Sequence, residues 1–264
     1  MTARPSFDNP GVRLANSRLR VGAFTAAGDA VTLTQCDTTT CGATAILAAR
    51  LLLGAPIDAA MARQDVDARP ALALRDSLAV YQRQLQRSMN RHAGGPLGLL
   101  PWTRRLGSTP WAVAAELTRT LTETGLTAGA SGVVWVDDRG AQWEAVVAEL
   151  RCVLAAGAPV ILLTGAPLRV RRDGAGRVHR ALQSMFANAP AIPRHYVLAL
   201  PWELVGRPDP GPGRAHLYEP SSGTVKVLDL LAARPPAGPG PRELGGWPRV
   251  LAVIAPRPPS PTET

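Results

Sequence analysis

The sequence predicts an α+β domain, and three observations predict it. Helical apolar spacing dominates residues 41–123, and short β-favouring runs separated by Pro/Gly loops dominate residues 132–255. Neither an internal repeat nor a convincing linker divides the two, so helices come first and an antiparallel-type sheet follows within one chain.

Taken in order, residues 1–20 carry charges and prolines but no apolar core, and read as a loosely ordered N-terminal segment. Val21 to Thr34 contains VGAF and AVTLT around Gly28-Asp29, a short hairpin or an extended approach. In TQCDTTTCGATAILAARLLLGAP, Thr38, Thr39 and Thr40 are caps for a helix running to Leu53, and Gly54 followed by Pro56 stops it. A second helical region spans about 57–67. A third, about 71–91, sets Leu74, Leu78, Tyr81, Leu85 and Met89 at steps of three and four. After the loop GGPLGLLPWTRRLGS, Thr109 caps a helix with Pro110 at its first position. GVVWV is a short strand, AQWEAVVAELRCVLAAG a helix ending at Gly157, and PVILLTG a buried strand. LRVRRDGAGRVHR reads as a hairpin around Asp173-Gly174. RHYVLALPW, AHLYEP, TVKVLDL and RVLAVIA are four further strands, interrupted by GRPDPGPGR and ARPPAGPGPRELGG. Residues 21–255 thus form a single domain, and residues 256–264 read as a disordered tail.

A chain of 264 residues, 46% hydrophobic, can bury a core without disulfide staples. Its composition excludes collagen, coiled coil and a wholly disordered chain. The formal charge of +9 first suggests a nucleic acid or an anionic membrane. Lys226 is the only lysine, however, and the arginines run through both halves of the chain. The densest basic run, Arg169 to Arg180, alternates about a turn and has no interleaved aromatics, the pattern of a solvated hairpin face. No nucleic-acid partner is therefore expected. Three cysteines cannot complete a disulfide framework, which favours a reducing compartment. The first residues lack the apolar stretch of a secretory signal, and no apolar run approaches a membrane span of about 20 residues. The expectation is a cytoplasmic protein, with export by a signal-less route as the alternative.

Chemistry concentrates in Gln35-Cys36-Asp37-Thr38-Thr39-Thr40-Cys41-Gly42-Ala43. Cys41 opens an apolar helix, where free N–H groups and the macrodipole favour an anion and hence the nucleophilic thiolate. Gly42 lets a substrate backbone approach without a side chain in the way. Gln35, six residues upstream, carries an amide able to donate to a developing oxyanion. A thiol nucleophile needs a base and a group to orient it. His195 opens the apolar strand HYVLAL, and Glu219 ends the strand HLYEP; in neighbouring antiparallel strands the start of one lies beside the end of the other. His216 is the chief rival to His195, Asp209 and Asp229 are rivals to Glu219, and His92 and His179 read as surface groups. Cys152 reads as a core residue.

Gln-x5-Cys-Gly at a helix start, a later Gly-x-Pro-Val-Ile after a helix, His-Tyr-Val-Leu and an acidic-Pro pair ending a strand resemble the papain-like cysteine peptidases that process bacteriocin double-glycine leaders, and their stand-alone relatives. The resembling motifs run from Gln35–Ala43 to Glu219–Gly223. The resemblance implies a papain-like fold, with a helical part carrying the nucleophile packed on an antiparallel sheet carrying the histidine. It implies Cys41 as nucleophile, His195 as general base and acid, Glu219 as orienting carboxylate and Gln35 as oxyanion donor. It implies a thiol-dependent hydrolase acting on a peptide or isopeptide bond of a peptide or protein substrate. Two departures stand out: Glu219-Pro220 replaces the family's usual Asp-Pro, and residues 55–108 form a larger helical insert than a minimal domain holds. No transporter segment follows in this chain.

Other readings of the same residues are a glutamine deamidase or transglutaminase-like enzyme using the same triad, and a degenerate module that binds a peptide or partner in the old cleft. No cofactor is expected. Cys36 and Cys41 make a Cys-x4-Cys pair without the second ligand cluster a zinc site needs, so no metal is expected either; a reversible Cys36–Cys41 disulfide is the alternative use of the pair. The chain contains no Gly-x4-Gly-Lys-Ser/Thr phosphate loop, no dinucleotide fingerprint and no Gly-x-Ser-x-Gly elbow.

Overall fold

The structure is a computed structural model that describes residues 11–22, 30–57, 70–92, 94–98, 107–126, 129–167, 191–235 and 238–257. The expected helix at 57–67, the Asp173-Gly174 hairpin with its arginines, residues 1–10 and the last seven residues lie outside these. The described residues form an α+β fold with a nine-stranded antiparallel sheet and four α-helices. The strands are β1 (Gly11–Ala15), β2 (Arg18–Gly22), β3 (Val31–Thr32), β4 (Ser131–Trp135), β5 (Val160–Pro167), β6 (Ala191–Leu200), β7 (Arg214–Glu219), β8 (Thr224–Asp229) and β9 (Arg249–Pro256). The helices are α1 (Cys41–Leu53), α2 (Pro70–Met89), α3 (Pro110–Glu123) and α4 (Trp143–Ala155). The sheet runs β1-β2-β8-β7-β6-β5-β9-β4, with β3 paired to β2 off that path.

Residues 11–22 depart from the loosely ordered segment expected at the N-terminus. They form a hairpin whose two-residue turn, Asn16-Ser17, has positive φ at both positions, the twist that matches paired strands. Leu19 and Val21 are fully buried, and Arg18 pairs with Thr224 of β8. Two buried residues and a ladder partner far along the chain order this segment. β3 then pairs antiparallel with β2 (Arg20 opposite Thr32), while the expected turn at Gly28-Asp29 lies outside the described residues.

Strand alternation divides the core into two layers. On β5, Ile161 and Leu163 face a cluster with Leu47, Leu78, Val113 and Leu117 of α1, α2 and α3, while Val160 and Leu162 face Trp143, Val147, Leu150 and Leu154 of α4. Three helices therefore cover one face of the sheet, and α4 covers the other. Every apolar position expected on α2 is buried. α1 is buried through most of its length and ends on Gly54 in the left-handed conformation, as the Gly-x-Pro stop predicts. α3 begins as expected, with the Thr109 hydroxyl accepting from Ala112 N–H and Pro110 at the first position.

The buried Arg50 that interrupts the apolar run of α1 is explained by α3. It pairs with Glu116 at 3.5 Å and Glu123 at 2.7 Å and donates to the carbonyl of Pro56. Cys152 corrects its expectation: it is exposed, because the buried stripe of α4 runs through Val147, Leu150 and Leu154 and leaves position 152 outside it.

Candidate active site

The start of α1 is shaped by Asp37. Its carboxylate accepts from the backbone N–H and hydroxyl of Thr39, at 2.9 and 2.8 Å, which turns the chain into the helix. Thr40 is the N-cap, yet its hydroxyl turns back to Asp37 and caps nothing in the first turn. The first turn of α1, with Cys41, thus begins without a side-chain cap. Gly42 has a packing reason beside the one expected. A Cβ there would press on the Tyr196 ring at 3.2 Å and on Val113 at 3.3 Å, so its smallness lets α1 sit close against β6 and α3.

β6 and β7 pair antiparallel, Leu198 opposite Tyr218. Continuing that register one step sets Val197 across from Glu219, so His195, two residues earlier, shares the face of the carboxylate. His195 Nε2 lies 2.8 Å from Glu219 Oε1, and both side chains are buried. The carboxylate only accepts, so Nε2 carries the proton and Nδ1 is the ring nitrogen left for Cys41. Burial disfavours the imidazolium, but its hydrogen bonds to Cys41 and Glu219, with their charges, outweigh it and raise the His195 pKa to about 9.

Glu219 itself is held on all sides. Its Oε1 also accepts from Ser221 N–H at 2.7 Å, and Oε2 accepts from the Ser221 hydroxyl at 2.7 Å and Ser222 N–H at 2.8 Å. Burial alone would raise its pKa; the bonds from His195, Ser221 and Ser222 prevail and lower it to about 2. The turn that supplies these donors closes on Gly223 in the left-handed conformation, packed on Thr32 and Leu33.

Gln35 is tied to this same turn: its backbone N–H donates to the Pro220 carbonyl at 2.8 Å, and the Tyr218 hydroxyl donates to Leu33 O at 2.9 Å next door. The Gln35 side-chain oxygen is buried with no hydrogen-bond partner. The four residues singled out in the sequence therefore converge where the start of α1 meets the first half of β6 and the end of β7.

The rivals do not. His216 is buried with its Nε2 3.1 Å from the Pro208 carbonyl, Asp209 is exposed and paired to Arg151, and Asp229 pairs with Arg214 and caps the turn after β8. His92 is exposed as expected, and His179 lies outside the described residues. Cys36 contacts Thr40 Oγ1 at 3.6 Å and the Ala79 carbonyl at 3.8 Å, on the α2 side of the loop.

Sequence reasoning missed five contributors. Ser221 and Ser222 follow Glu219 directly, and an acidic residue followed by two serines at a turn was the available signal. Gly245, left-handed at φ +69°, lies so close to His195 that a Cβ would overlap the imidazole at Cδ2 and Nε2; Gly245-Gly246 was visible only as loop. The buried amides of α2, Gln82 and Gln86, reach the Gln35–Cys41 segment across the fold and had no local signal.

No protein-family model matches this chain, and neither a curated protein nor a solved structure does. No helix among the described residues is long and apolar enough to cross a membrane, and no cluster of His, Cys, Asp and Glu among them is arranged to hold a metal.

Proposed function

We propose that this chain is a thiol-dependent hydrolase of papain-like type that cleaves a peptide or isopeptide bond. The observation that supports the reading is the buried His195–Glu219 pair at 2.8 Å, with Cys41 among the groups that raise the pKa of the same imidazole. Glutamate in place of the family's usual aspartate was the ground for the degenerate binding module. Its carboxylate reaches the ring at 2.8 Å, which supports the catalytic reading over the binding module.

In the mechanism, the Cys41 thiolate attacks the substrate carbonyl carbon, and the carbonyl π electrons move onto oxygen. The Gln35 amide and the Cys41 backbone N–H donate to this oxyanion, at a helix start that no side chain caps. His195 gives its proton to the leaving nitrogen as the C–N bond breaks, leaving a thioester on Cys41. The neutral imidazole then takes a proton from water, whose oxygen attacks the thioester and releases the acid and the thiolate. Glu219 keeps the proton on Nε2 and stabilises the imidazolium throughout.

The test is labelling by a thiol-reactive peptide electrophile, with peptide mapping to separate Cys41 from the exposed Cys152. Wild type is expected to label at Cys41, Cys41→Ala to label only elsewhere, and His195→Gln to slow Cys41 labelling by at least about 100-fold. A Cys41 that labels no faster than Cys152 overturns the proposal. Intact mass of treated protein substrates separates cleavage from the deamidase alternative, because deamidation adds about one dalton and leaves the chain whole.

A further inference from the structure

We propose that Gln82 is a positioning residue for the oxyanion side of this site, holding Gln35 in register with Cys41; the inference rests on the hydrolase reading above. Gln82 lies on the side of α2 that faces the Thr34–Cys36 segment and is 1% exposed. Its Nε2 donates to the Thr34 carbonyl at 2.9 Å, and its Oε1 accepts from Cys36 N–H at 2.8 Å. One side-chain amide thus grips the carbonyl before Gln35 and the N–H after it, the pair of bonds a neighbouring strand would make. Gln35's own N–H is held from the other side by Pro220. Three backbone groups around Gln35 are fixed, although the residue lies beyond the short pairing of β3.

The same Oε1 also accepts from the Thr44 hydroxyl at 3.0 Å, on the first turn of the helix that Cys41 opens. One side chain therefore joins the Gln35 loop to the Cys41 helix, so the spacing between donor and nucleophile is set through Gln82. The Gln35 side-chain oxygen has no partner of its own, which leaves its amide direction to the backbone that Gln82 holds. One turn further along α2, Gln86 donates to the Thr39 carbonyl at 2.8 Å and steadies the rest of the loop. A leucine at position 82 would fill the space and keep the helix, but it would strand the buried Cys36 N–H and Thr34 carbonyl.

The experiment compares two reactions at Cys41 in the full chain. Alkylation by iodoacetamide develops no oxyanion; reversible addition of acetyl-glycyl-glycinal, a peptide aldehyde, gives a thiohemiacetal whose oxygen needs the donors. Gln82→Leu is expected to weaken aldehyde binding by about 10- to 100-fold, with alkylation changed by less than about threefold. Gln35→Ala is expected to do the same, and the double variant to be no worse than Gln35→Ala alone, since both act through one donor. Gln82→Glu keeps the acceptor and loses the bond to Thr34, so it should fall between, and it carries the test if the leucine variant does not fold. Unchanged aldehyde affinity, equal loss in both reactions, or full additivity with Gln35→Ala overturns the proposal alone. A wild type that binds the aldehyde no better than Cys41→Ala overturns the hydrolase reading, and this inference with it.

Discussion

Glu219 accepts four hydrogen bonds, one of them from His195, and each has a readable consequence. The negative charge that favours the imidazolium is lost in Glu219→Gln, while the side-chain length is kept. Removing a cause that raises a pKa lowers it, so the His195 pKa should fall from about 9 toward the ordinary value of about 6.5. Titration of the His195 Cε1 proton by NMR, assigned with His195→Gln, measures this; an unmoved midpoint would show that the carboxylate does not set the charge on the ring. Gly245 offers a second test at the same scale. Alanine there must adopt a left-handed φ, at a cost of about 1 kcal/mol, and its methyl must displace the imidazole edge. Gly245→Ala should therefore slow Cys41 labelling by more than that loss of stability accounts for. The same substitution at Gly54, also left-handed but with open space where the Cβ would stand, should cost stability alone.

At the scale of the element, what was legible in the sequence was whatever repeats locally. The apolar steps on α2 identify its buried stripe, and Thr109-Pro110 marks the start of α3 to the residue. Replacing Thr109 by alanine should remove about 1 kcal/mol, read as a lower midpoint in urea with an unchanged slope. A change in slope would mean that the cap alters more than the end of one helix. The polar side of α2 was not legible, because glutamines on a helix ordinarily mean solvent. Gln82, Gln86 and Asn90, each four residues on from the last, instead face the loop from Thr34 to Thr40 and Gly107. Only the tertiary placement of that loop distinguishes a buried amide ladder from a wet face. The hairpin of residues 11–22 escaped notice for a related reason: its order comes from pairing with β8, some 200 residues away, and from two buried side chains.

Across the whole molecule, the antiparallel sheet followed from the apolar runs, and the pairing of β6 with β7 is what brings His195 and Glu219 to one face. The covering of both faces was less visible. α4 was recognised as a helix, but its side of the sheet depends on a register that no local window contains. Charge adds a consequence that belongs to the fold as a whole, because the His195–Glu219 pair joins two strands beneath the start of α1. His195 has its folded pKa raised, so its contribution to stability is complete below about pH 6.5 and is lost as pH rises through about 9. Glu219 has its folded pKa lowered, so its contribution is complete above about pH 4.5 and is lost as pH falls through about 2. Both contributions are complete together only between about pH 4.5 and 6.5. The difference in Tm between wild type and His195→Gln should therefore be widest in that window and narrow on either side. Asp138 supplies the control: it is buried and bonded to Arg234, Arg249 and the N–H of Val250, a set of bonds that does not include Cys41, His195 or Glu219. Removing its charge in Asp138→Ala should cost about 3–5 kcal/mol and leave the reactivity of Cys41 unchanged in whatever fraction stays folded. A pH-independent gap for His195→Gln would mean that the buried pair is held by packing rather than by charge, and the imidazolium would then lose its place in the mechanism.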